Sequence, residues 1–209
     1  MHMPKHTRLG LVVGFLVFLL AGCQNDTDRT PAKEDPGPVK TNATLVVAGG
    51  CFWCVESDFE KLPTVGDVLA GYAGGTSQSP TYQSHADHLE VVQIPYDASA
   101  VTYRELVDYF LRHIDPLDAG GQFCDRGHSY TTAIFYQTPD EKAAADAAVM
   151  QAQRQLGETI ATRILPFEKF WLAEDYHQDY YKKNPIRYKY YRNGCGRDQR
   201  VEQVWGAAT

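Results

Sequence analysis

The chain has little positive charge and no apolar stretch long enough to cross a bilayer. Its 209 residues hold 20 Lys and Arg against 26 Asp and Glu, for a net charge of -6. Two of the basic residues, Lys5 and Arg8, lie at the extreme N-terminus, so the remainder is more acidic still. Such a surface gains nothing from attraction to phosphates, which excludes nucleic acid as a partner. The apolar run Leu9–Leu20 covers 12 residues, whereas a spanning helix needs about 20. No internal repeat is visible. Cysteine is scarce, with five in all, and a domain of this size can build a sufficient core without bridges. Tyrosine is abundant, with 13 copies, each giving apolar area with a polar tip.

The first residues read as an address. Met1–Arg8 is short and basic, and the Leu9–Leu20 run fits the apolar region of a signal peptide. Leu20-Ala21-Gly22-Cys23 follows and resembles the lipobox of bacterial lipoproteins, in which the cysteine is lipidated. That resemblance implies a signal peptide over 1–22, a lipid anchor at Cys23, and export to the cell envelope, at the outer membrane facing the periplasm if the cell has two membranes. Residues 23–42, rich in Pro, Asp and Lys, read as a flexible tether. A catalytic domain is expected over 43–209.

Within that domain the spacing predicts a strand at Thr44–Ala48, a glycine turn, and a helix over Phe52–Leu62. Strands are expected at Val65–Tyr72, Leu89–Ile94, Thr131–Tyr136 and Ile160–Leu165. Helices are expected over Thr102–Ile114, from Thr138 to Leu156, over Asp175–Lys183 and over Arg197–Trp205. Asn184–Gly196 reads as a loop. The alternation argues for a layered α/β or α+β sheet.

Removing Cys23 leaves Cys51, Cys54, Cys124 and Cys195. Cys51 falls where a helix begins, a position whose free N–H groups stabilise an anion and lower a thiol's pKa. It is therefore expected to be the reactive sulfur. Cys54 lies one helical turn on, close enough to bridge to it, and reads equally as a resolving thiol or as core packing. Cys195, between Gly194 and Gly196, reads as a mobile thiol able to reach an oxidised partner. Cys124 falls near the expected site without an assigned task.

Gly50-Cys51-Phe52-Trp53-Cys54-Val55-Glu56 resembles the GCFWG-x-E signature of the A-type peptide methionine sulfoxide reductases, with Cys54 where glycine is commoner. Gly71-Tyr72-Ala73-Gly74-Gly75, Pro80-Thr81-Tyr82, His88-Leu89-Glu90-Val91, Asp125-Arg126-Gly127, Glu174-Asp175-Tyr176-His177-Gln178 and Asn184-Pro185 continue it. The resemblance implies an α+β two-layer fold with a mixed sheet, a ferredoxin-like core and long coil segments. It implies reduction of methionine S-sulfoxide, in proteins and in free form, for repair of oxidised proteins outside the cytoplasm. Cys51 would be the nucleophile, and Phe52 and Trp53 would hold the sulfoxide methyl. Tyr82, Glu90 and Tyr130 would bind and protonate the oxygen, with Asp125 beside them. No cofactor or metal would be bound. A thioredoxin-like dithiol protein would supply electrons, and the chain would act as a monomer.

Chemistry asks for this set. A sulfoxide becomes electrophilic only when its oxygen is protonated, so an acid must face the thiolate. Burial keeps a carboxyl neutral. Attack leaves Cys51 as a sulfenic acid, which Cys54 or Cys195 converts to a disulfide. Three other readings remain at this point, one of them a non-catalytic lipoprotein that binds oxidised partners. Cys51-x-x-Cys54 after a strand also marks a thioredoxin-like disulfide oxidoreductase, and with His85 and His88 it could bind zinc.

Overall fold

A computed structural model describes residues 38–206. The signal peptide, Cys23 and most of the tether lie outside these residues. Strand β1 (Ala43–Gly49) leads into helix α1 (Phe52–Phe59), then β2 (Leu69–Ala73), β3 (Leu89–Tyr96) and α2 (Tyr103–Leu111). A small hairpin of β4 (Gly121–Gln122) and β5 (Asp125–Arg126) precedes β6 (Thr132–Tyr136). Helix α3 (Pro139–Leu156), β7 (Arg163–Pro166), β8 (Trp171–Leu172), α4 (Tyr180–Lys183), α5 (Pro185–Gly194) and α6 (Arg197–Trp205) complete the described chain.

The main sheet has the order β7-β6-β1-β3-β2-β8, antiparallel throughout except for the parallel β6–β7 edge. Its centre is a βαββαβ unit, β1-α1-β2-β3-α2-β6, with the strands arranged β6-β1-β3-β2. This is the mixed α+β sheet, with the ferredoxin-like core, that the resemblance implied. Alternation sorts the side chains onto two faces. Leu45, Val47, Val92, Ile94 and Ile134 meet Val55, Phe59, Leu106, Phe110 and Ala148 of the helical layer. Val46, Ala48, Leu89, Val91, Ala133 and Phe135 form the opposite face, covered by Phe167 and Phe170.

Local chemistry explains the helix ends. Thr102 and Glu105 close a reciprocal capping box at the start of α2. Thr138 caps α3, Pro139 occupies its first turn, and left-handed Gly157 ends it.

Three expectations need correction. Val65 makes only an isolated bridge to Tyr96, and β2 begins at Leu69. Only Tyr180–Lys183 of the Asp175–Lys183 segment is helical. The segment read as a loop from Asn184 is helix α5, opened by Pro185 in its first turn. Proline is well tolerated there because its missing N–H would have no partner in any case.

Candidate functional site

Cys51 caps the N-terminus of α1, which places its sulfur at the junction of sheet and helix. Gly50 makes the junction possible. Its φ is +77°, and a Cβ built on it would lie 2.5 Å from Cβ of Gln122. Gln122 is fully buried and tied to the Asp115 backbone by bonds of 2.9 and 2.7 Å. The close approach of Gly50 to Gln122 sets the β4–β5 hairpin, and with it Asp125, beside Cys51.

Glu90 arrives from β3. It shares the face of Val92 and Ile94, so its carboxyl points into the helical layer at the start of α1. Glu90 Oε2 accepts the Phe52 N–H at 3.1 Å. Burial, opposed by that bond and assisted by the charges of Asp125 and Cys54, pushes its pKa from 4.5 up to about 8. A carboxyl in this setting is an acid at neutral pH.

Cys51, Phe52, Trp53, Tyr82, Glu90, Asp125, Tyr130 and Tyr191 line one cavity of about 60 Å³. Space for roughly two waters admits the head of a small side chain and little more. Every residue expected to act on or hold the sulfoxide is in this lining. The hydroxyls of Tyr82 and Tyr130 lie against each other, and burial pushes both above the usual phenol range. Trp53 is fixed by a hydrogen bond from Nε1 to His177 Nδ1 at 3.1 Å and by stacking on Tyr180 at 3.8 Å and 9°. Phe52 is 1% exposed and packs on Tyr72 and His177. It belongs as much to the core as to the cavity wall.

The sulfurs carry the main surprise. Cys51 and Cys54 are both free and buried, with their side chains within hydrogen-bonding reach. The expectation that the helix terminus simply lowers the Cys51 pKa does not hold here. Burial raises the Cys51 thiol, and Cys54 and Glu90 raise it further. The hydrogen bond with Cys51 brings Cys54 down to about 7, helped by the charges of Arg197 and Arg192. Two sulfurs sharing one proton titrate as a pair: the first proton leaves near neutrality and the second is held.

Cys195 differs from its sequence reading. It is joined to Cys124 in a disulfide with a Cα–Cα distance of 5.2 Å, and so is neither mobile nor free in this state. It caps α5, with its N–H bonded to the Tyr191 carbonyl at 2.9 Å. The pairing spans 71 residues, and spacing alone could not reveal it. The zinc set is not assembled either. His88 Nε2 bonds the Ser77 carbonyl at 2.9 Å and its Nδ1 accepts the Gly75 N–H at 3.2 Å, which turns the ring from the cysteines.

Sequence reasoning missed Tyr191, whose hydroxyl bonds Asp125 Oδ2 and lies within reach of Cys51. It missed Tyr188, which shares one buried cluster with Cys51 and Cys54. A helical reading of the tyrosine run would have found both, because residues 188 and 191 share a face at i and i+3. It also missed Glu174, which accepts the Tyr82 N–H at 2.9 Å and the Tyr72 hydroxyl at 3.0 Å.

With this geometry in place, comparison with known proteins is informative. The family profile "Peptide methionine sulfoxide reductase" matches residues 43–209. The chain is 52% identical over 163 residues to "Peptide methionine sulfoxide reductase MsrA 2" of Rhizobium meliloti, covering 77% of this chain and 82% of that one. It is 42% identical to the MsrA 2 of Staphylococcus aureus over 80% of this chain and 97% of the relative. Among solved structures, reduced Mxr1 of Saccharomyces cerevisiae superposes with a TM-score of 0.66 at 31% identity, covering 74% of this chain and 90% of that one. The methionine sulfoxide reductase A of Corynebacterium diphtheriae gives 0.65 at 31%, covering 73% and 78%. A buried acid set against a sulfur pair is therefore found on a fold and in a sequence that agree on one assignment: the chain belongs to the peptide methionine sulfoxide reductase family and is an oxidoreductase.

Proposed function

We propose that the enzyme reduces the S epimer of methionine sulfoxide, in proteins, peptides and the free amino acid, through a Cys51 sulfenic acid that Cys54 resolves. The observation that carries this reading is the opposition of a carboxyl held neutral near pH 7 and a sulfur pair that sheds one proton in the same range, across one small cavity. Cys51 passes its proton to the Cys54 thiolate as its sulfur attacks the substrate sulfur, while Glu90 gives its proton to the sulfoxide oxygen. Tyr82 and Tyr130 orient that oxygen, and Asp125, held by Tyr191, keeps the far wall polar. Phe52 and Trp53 take the methyl. Methionine leaves and the oxygen stays on Cys51 as a sulfenic acid. Cys54 condenses with it, releasing water and forming the Cys51–Cys54 disulfide.

An incoming dithiol supplies two electrons and two protons. One proton returns to the sulfur pair and one to Glu90. A thioredoxin-like protein fits that demand. The family signature supports the choice of epimer. Leu20-Ala21-Gly22-Cys23 supports export and lipid anchoring at Cys23, with residues 23–42 as tether and the domain acting as a monomer in repair of envelope proteins. The decisive test uses a peptide carrying the S-sulfoxide, with dithiothreitol as reductant and the R-sulfoxide as control. Wild type should form methionine from the S form alone, and Cys51→Ser should form none. Equal conversion by Cys51→Ser removes the reading. A dithiol exchanger on the same cysteines would have no use for Glu90, so Glu90→Gln separates the two chemistries.

A further inference from the structure

His85 is buried beside the acid. Its side chain is 9% exposed, and its ring stacks against Tyr72 at 4.8 Å and Tyr82 at 5.7 Å. The tautomer follows from its partners. Nδ1 lies 3.1 Å from the Thr81 carbonyl and 2.9 Å from the Tyr82 carbonyl. Carbonyl oxygens only accept, so Nδ1 carries the hydrogen and Nε2 of the neutral ring is left with a lone pair. That lone pair faces Glu90 Oε1 at 3.9 Å.

The Glu90 carboxyl is sorted in the same way. Oε2 accepts the Phe52 N–H, so in the neutral acid the hydroxyl is on Oε1, the atom turned toward His85. The gap is about an ångström wider than a hydrogen bond, within reach of a small rotation of the Glu90 side chain. The other titratable groups around the ring are Tyr72, Tyr82, His177 and Glu174. Glu90 rather than any of these is the group the structure sets against the free nitrogen.

We propose that His85 is a positioning residue that acts through Glu90: its Nε2 accepts the Oε1 hydroxyl in the free enzyme, holding the acid in its protonated form and aimed along one direction. Binding of a sulfoxide draws the hydroxyl from His85 to the substrate oxygen. The ring remains in place for the next cycle because its Nδ1 bonds do not change. The proposal rests on the reductase reading given above.

Two variants separate this from a structural task. Asparagine at position 85 can keep the bond to the Thr81 and Tyr82 carbonyls but offers nothing where Nε2 was. Glutamine can place an amide oxygen near that nitrogen's position. The measurement is kcat/KM against pH from 5.5 to 9.5, with the S-sulfoxide peptide and saturating dithiothreitol. His85→Asn should move the basic limb down by about 0.7 unit, a loss of about fivefold above pH 8, the worth of one neutral hydrogen bond. At pH 6 its activity should match wild type, and His85→Gln should return the limb most of the way. An unmoved limb in His85→Asn overturns the proposal, as does an equal loss at every pH in both variants. Absence of methionine formation by wild type would instead sink the reductase reading and leave His85 aside.

Discussion

Replacing Glu90 by Gln should make the folded protein more stable at neutral pH while stopping sulfoxide reduction. Burial raises the Glu90 pKa from 4.5 to about 8, and the side chain is only 2% exposed. Between those two values the folded state keeps a proton that the unfolded chain releases, so stability falls as pH rises. The contribution is fully present below pH 4.5 and is lost progressively as pH climbs through about 8. Over that 3.5-unit span, at 1.36 kcal/mol per unit, the cost reaches about 5 kcal/mol, and at pH 7 it is about 3 kcal/mol. Glutamine carries no charge and keeps an oxygen for the Phe52 N–H. Its added N–H₂ group gives back about 1 kcal/mol where it lacks a partner. The net gain at pH 7 is then about 2 kcal/mol, or roughly 4–8 °C in Tm for a domain of this size. Thermal unfolding of wild type and Glu90→Gln, followed by circular dichroism with the Cys124–Cys195 disulfide intact in both, measures it. The difference should shrink to nothing or reverse at pH 4.5 and grow toward pH 8. Two melting curves that keep a constant offset across that range would show that Glu90 is not a buried neutral acid.

Other outcomes follow from the same geometry. The pH profile of kcat/KM should be bell-shaped, rising through about 7 as the Cys51–Cys54 pair loses its first proton and falling through about 8 as Glu90 loses its own; a flat profile from pH 6 to 9 would contradict the pairing of roles. Cys54→Ser should still release one equivalent of methionine in a single turnover, then hold a Cys51 sulfenic acid that a sulfenic-acid-specific nucleophile labels; failure to label, with turnover intact, would move resolution elsewhere. Gly50→Ala should destabilise the domain by about 2–4 kcal/mol and cut activity, because φ of +77° and the Gln122 contact both oppose a methyl group; urea unfolding reads the first effect. Opening the 71-residue loop with paired Cys124→Ser and Cys195→Ser changes should cost about 4 kcal/mol of stability by the chain-entropy estimate, while sulfoxide-dependent chemistry at Cys51 and Cys54 continues.

Much of this site is legible in the sequence because it is local. Gly50, Cys51, Phe52, Trp53 and Cys54 are consecutive, and the apolar spacing at 52, 55 and 59 already placed them on a helix start. Glu90 is legible only through the family motif, and the structure puts it on the face of β3 that Val92 and Ile94 turn into the helical layer. The two-residue strands β4 and β5 are not legible, because they are too short for any period to register. Yet they set Asp125. Helix α5 was obscured by its composition: seven of its ten residues are Tyr, Arg, Asn or Gly, and tertiary packing of Tyr188 and Tyr191 in the cysteine cluster overrides weak propensity. His85 carried only the zinc reading, and its placement against Glu90 was not legible, since it rests on a tautomer that two backbone carbonyls decide.

The deeper difficulty is that burial acts on acid and nucleophile in the same direction. The low-dielectric walls that keep Glu90 protonated also hold the proton on Cys51. A lone buried thiol facing that acid would leave the site with two neutral groups and no nucleophile. A helix terminus alone does not overcome this here, although sequence position suggested that it would. Cys54 does, because a second sulfur can share the remaining proton with the first while Arg197 and Arg192 offset the charge. Arg192 lies on α5, the segment that the sequence presented as a loop, and Arg197 opens α6, where a helix was expected. On this view the cysteine in place of the commoner glycine is what allows one cavity to hold a protonated carboxyl and a thiolate together. Cys54→Gly tests it directly: the acid limb of kcat/KM for the first turnover should rise well above 7, and a limb left where it was would assign the thiolate's stability to the helix after all.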